Sequence, residues 1–151
     1  MVRFRALSLR RLWLLAGALV SVWAARLALT FIPLRKVIAF GPRLYRLGFR
    51  TARLVRQVPT ADAAWSVRVA SRTLLGSRVC LVRALALQWM LALMGRQTTL
   101  KLGVAKNPKG GLSAHAWLEE GDSIVIGGEE ACAFKVLGPL PFTQPPSGSS
   151  L

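Results

Sequence analysis

The stretch Ser77-Arg-Val-Cys80-Leu-Val-Arg-Ala-Leu-Ala-Leu-Gln-Trp-Met-Leu-Ala-Leu-Met94-Gly95 decides the fold. From Val79 to Met94 it is filled with strong helix formers, Ser77 suits the N-cap, and Gly95 suits the position just past the last turn. The reading is a helix with Cys80 in its first turn. Unpaired backbone N–H groups and the positive end of the helix dipole favour negative charge there, which draws a thiol towards the nucleophilic thiolate. A free cysteine is also often just a small buried apolar residue, and this stretch by itself allows both readings.

Downstream of Gly95 the period changes. Thr99 to Ala105 alternates, with Leu100, Leu102 and Val104 on one face of a strand. Asn107-Pro-Lys-Gly-Gly111 has the composition of a turn. Leu112 to Glu119 alternates again, with His115, Trp117 and Glu119 on one face and Ala114, Ala116 and Leu118 on the other. Glu120-Gly-Asp-Ser123 then turns the chain into a third strand over Ser123 to Ile126, which Gly127-Gly128 interrupts. Ala131 to Leu137 reads as an edge strand or a loop closing over the sheet. Residues 139–151, rich in Pro, Gly and Ser, read as a disordered tail. The fold class is α+β: helices first, then a cysteine-bearing helix packed on a small antiparallel sheet.

Upstream, Val58-Pro59-Thr60 punctuates the chain. Thr60 is the expected N-cap of a helix from Ala61 to Leu75, and the domain boundary falls near Pro59. Residues 59–138 are then the sheet-bearing domain and residues 1–58 a basic, apolar, helical extension. Within that extension Leu12 to Ile32 is apolar apart from Arg26, Ser21 and Thr30, and basic residues flank both ends. Its length just suffices for a transmembrane helix. Arg26 and the symmetric flanks argue against a clean span and for a helical hairpin broken at Pro33, packed on the domain or lying on an anionic membrane surface. Gly41-Pro42 is expected to break the hairpin's second helix.

The formal charge is +15, and Asp62 is the only acidic residue before Glu119. Twenty of the 21 Lys and Arg residues precede that point. Such a chain attracts anionic partners. Nucleic acid is disfavoured, because no recognition motif accompanies the charge. The two cysteines, Cys80 and Cys132, lack metal-ligand spacing, and His115 is the only histidine. A structural metal or a cofactor is therefore not expected. A cysteine nucleophile needs a base, and imidazole suits that task near neutral pH. A helix followed by a strand allows Cys80 and His115 to meet at the helix–sheet seam. The plain alternative for His115 is a polar side chain satisfied within the core.

These residues resemble the transglutaminase-like superfamily, in its lasso-peptide branch. The likeness is carried by Cys80-Leu-Val-Arg-Ala-Leu, Leu102-Gly-Val104, His115-Ala-Trp-Leu-Glu119, the Gly121-Asp122 turn and Ile124-Val-Ile-Gly-Gly128. Arg11-Leu-Trp-Leu-Leu15 and the run from Leu29 to Arg35 are similar as well. The resemblance implies a transglutaminase-like, papain-like core and a cysteine peptidase that removes the leader from a ribosomally made lasso-peptide precursor. It implies a cytoplasmic enzyme, possible membrane association through residues 12–32, a separate leader-recognition protein and an asparagine-synthetase-like cyclase. Carried over by residue, Cys80 is the nucleophile and His115 the general base and acid. The family's Asp falls about where Gly127 stands. Glu129 shares that strand parity and is the expected third member, ahead of Glu119, Glu130 and Asp122; a backbone carbonyl or water could serve instead. The backbone N–H of Cys80 is expected in the oxyanion hole. Two other readings use the same residues: a non-catalytic, membrane-associated binding protein with a degenerate fold, and an acyl-transferring enzyme.

Overall fold

The computed structural model describes residues 9–51, 58–73 and 79–137. Helices α1 (Leu9–Phe31) and α2 (Leu34–Thr51) form a hairpin at Pro33, whose carbonyl accepts the Lys36 and Val37 N–H groups and so opens α2. Helix α3 (Thr60–Ala70) runs into one 3-10 turn at Ser71–Thr73, and α4 (Val79–Leu93) carries the cysteine. Strands β1 (Thr99–Lys106), β2 (Leu112–Glu120), β3 (Ser123–Ile126) and β4 (Lys135–Val136) pair antiparallel in the order β3-β2-β1-β4, with the short helix α5 (Gly128–Ala131) between β3 and β4. The α+β architecture is as the sequence reads.

Helix α4 is apolar apart from Arg83 and Gln88 because it is largely enclosed: Val82, Leu85, Leu87 and Leu91 have no exposed surface. Helix α1 covers it with Leu14, Ala18, Val22 and Ala25, and α2 with Val37 and Ile38. Leu100, Ala116, Leu118 and Ile126 close the same core from the sheet. The hairpin expected as an extension thus shares one core with the sheet-bearing part. Gly95 ends α4 at φ 71°, donating to Ala92 O at 2.9 Å while Arg96 N–H donates to Leu91 O at 2.9 Å. This double closure is the Schellman motif.

Two local expectations are corrected. Helix α2 passes through Gly41-Pro42 unbroken. Proline deletes one backbone hydrogen bond, and packing outweighs that loss: Gly41 lies against the Gln88 side chain, and Gly48 leaves no room for a Cβ beside the Ala92 carbonyl. Thr60 does not cap α3, whose N-cap is Pro59 without a side-chain bond. Its hydroxyl instead donates to Glu120 Oε2 at 2.7 Å. Glu120 also receives the Arg96 fork at 2.6 and 2.9 Å, tying the loop after α4 to the end of β2. The expected Ser77 cap, Leu74 and the tail beyond 138 lie outside the described residues.

Candidate active site

Cys80 is the second residue of α4, half-buried and free, with its flank packed against the core. Its N–H is among the first four of the helix, which have no partner within it. One turn on, Arg83 Nε donates to Ser71 Oγ at 2.6 Å, Ser71 Oγ to Arg68 O at 3.0 Å, and Arg68 Nη2 to Val125 O at 3.3 Å. This chain of bonds secures the start of α4 to α3 and β3. Arg83 was not singled out in the sequence, although its i+3 spacing places it on the helix beside Cys80.

His115 lies at the centre of β2, paired with Gly103 of β1, and is 9% exposed. Alternation sends Ala116 and Leu118 into the helical core and turns His115 and Trp117 to the opposite face of the sheet. There the imidazole is stacked between Trp117 (ring centroids 6.1 Å apart) and Phe134 (5.1 Å). Gly103 makes that possible, since a Cβ on it would come within 2.8 Å of Phe134 Cβ and 2.9 Å of Trp117 Cζ3.

The ring's orientation is set by the backbone. Nε2 lies 2.8 Å from Gly127 O. A carbonyl only accepts, so Nε2 carries the proton and donates it, and in the neutral ring Nδ1 holds the free lone pair. Gly127 has φ 82°, and a Cβ there would sit 2.8 Å from Ala116 O. Nδ1 faces Glu130 Oε2 at 3.8 Å, an ion pair only when the ring is protonated. That Glu130 carboxylate is largely exposed.

The carboxylates sort differently from their sequence parity. Residues 128–131 are helical rather than extended, so strand parity does not carry through Glu129. Glu129 is exposed and makes no hydrogen bond or ion pair among the described residues. Glu119 accepts from Trp117 Nε1 at 2.9 Å and faces Lys101 at 3.8 Å. Asp122 is exposed in the β2–β3 turn. The group in hydrogen-bond contact with His115 is the Gly127 carbonyl, the backbone alternative to a carboxylate that the sequence left open. Among the described residues no hydrogen bond joins Cys80 to His115, and no three His, Cys, Asp or Glu side chains gather as a metal site.

The fold is α+β, with a cysteine opening the central helix and a histidine oriented by a backbone carbonyl on an antiparallel strand. The sequence profile of the transglutaminase-like superfamily matches residues 18–138, and the chain belongs to that superfamily. No curated protein and no solved structure matches it.

Proposed function

We propose that this chain is a cysteine peptidase that removes the leader from a ribosomally made lasso-peptide precursor, working with a separate leader-recognition protein and an asparagine-synthetase-like cyclase in the cytoplasm. Superfamily membership supports cysteine-dependent chemistry, and the resemblance of the cysteine and histidine segments supports the substrate class. The observation that carries the reading is the fixed tautomer of His115. With Nε2 held by Gly127 O, Nδ1 is the nitrogen able to accept a proton. In this reading substrate binding brings Cys80 and His115 together; Nδ1 then takes the Cys80 proton, the thiolate attacks the amide carbonyl, and the imidazolium returns its proton to the leaving amine. Water then hydrolyses the thioester. Gly127 O holds the orienting position expected of Glu129, and Glu130, facing Nδ1, adds negative charge beside the imidazolium stage. The Cys80 N–H donates to the tetrahedral oxyanion.

The test is cleavage of precursor in the presence of the recognition partner. Cys80→Ala abolishes it, and a variant that cleaves as well as the parent removes the mechanism. A mass spectrum of the product separates hydrolysis from acyl transfer to an amine.

One observation favours the non-catalytic alternative: alternation along β2 turns His115 to the sheet face away from α4, and among the described residues no hydrogen bond joins it to Cys80. Thiol labelling discriminates. Cys132 is exposed and Cys80 half-buried, so accessibility alone favours Cys132. Faster alkylation of Cys80 therefore reports an activated thiol, and the accessibility order speaks for a binding protein.

A further inference from the structure

Helix α1 presents two apolar faces, and the fold uses one. Leu14, Ala18, Val22 and Ala25 are buried against α3 and α4. On the other side Leu9, Trp13, Val20, Trp23, Leu27 and Phe31 form an outward stripe at helical spacing, with Trp13 74% and Phe31 80% exposed. The stripe runs the 23-residue helix, roughly 33 Å at the rise of an α-helix. Soluble monomers seldom leave so continuous an apolar strip in water.

The second helix of the same hairpin differs. Its inner side holds Val37, Ile38, Gly41 and Gly48, while Arg35, Lys36, Arg43 and Arg46 are all exposed on its outer side, flanked by Phe40 and Leu47. Apolar anchoring and positive charge on one hairpin are complementary to a bilayer leaflet with anionic headgroups. Helix α1 is long and apolar enough to cross a membrane. Crossing, however, would strip α3 and α4 of their cover, because the inner face of α1 belongs to the core.

We propose that the α1–α2 hairpin docks the protein on an anionic lipid surface, with α1 lying in the plane of one leaflet and the α2 arginines on the headgroups. The tryptophans at 13 and 23 suit the interfacial depth. The proposal stands independently of the catalytic reading.

The test is flotation of the full-length chain with vesicles of phosphatidylcholine alone and of phosphatidylcholine with phosphatidylglycerol. Binding is expected to the anionic vesicles, to fall with salt, and to drop about fivefold for each charge removed in Arg43→Gln and Arg46→Gln. Trp13→Gln with Phe31→Gln should also lose binding. All four side chains are exposed, so an unchanged thermal midpoint shows that the variants are folded. Equal or no binding to both vesicle types overturns the proposal. So does resistance to alkaline carbonate extraction, which marks a crossing helix, or a lipid-free dimer abolished by the Trp13→Gln/Phe31→Gln pair, which makes a second copy the occupant.

Discussion

His115 is held by a carbonyl, two rings and a glycine opposite, and each contact makes a separable claim. As the sole histidine, it gives one imidazole signal pair in nitrogen-15 spectra. The neutral ring should be protonated at Nε2, and protonation at Nδ1 would contradict the bond to Gly127 O. Gly127→Ala should cost about 1–3 kcal/mol in chemical unfolding, from positive φ and the collision with Ala116 O. In the cleavage assay His115→Ala should slow turnover by roughly 10²–10⁴-fold, the range of general acid–base catalysis. Glu130→Gln should slow it measurably while Glu129→Gln leaves it near the parent rate, because only Glu130 faces Nδ1. The reverse order would restore Glu129 to the role read from sequence.

Among the elements, α4 was the most legible. Its composition, length and glycine stop follow from local rules, and the Schellman closure at Gly95 agrees. Strands β1 and β2 were legible through alternation. Pro42 was not, because α2 continues through it while packed on α4, and a local breaker rule contains no such contact. Thr60 misled in the same way: a partner 60 residues away claims its hydroxyl. Strand parity failed at Glu129 because Gly127, at positive φ, turns the chain into α5. The α2–α4 crossing yields its own prediction. Gly48→Ala places a methyl on the Ala92 carbonyl and should destabilise the fold by about 1–3 kcal/mol, the usual cost of overpacking. A thermal midpoint unchanged from the parent would mean that the helices are less closely opposed.

At the scale of the whole molecule, the hairpin and the sheet are held by one core. The superfamily match begins at residue 18, inside α1, which fits a helix integral to the domain. Removing residues 1–33 should therefore expose the α3 and α4 faces that α1 covers and abolish cooperative unfolding. A truncated chain that still unfolds in one sharp transition would instead establish the hairpin as a true appendage. Either outcome bears on vesicle binding, since an integral helix cannot leave the domain to enter lipid.

The grip on His115 by Gly127 has a chemical corollary. A carboxylate in that position would gain a proton in acid and release the ring. An amide oxygen is not titrated in this range, so the imidazole keeps its bearing as the medium acidifies. Nor can exchanging one side chain delete it, and a substitution screen of the polar residues would pass over the atom that aims the ring.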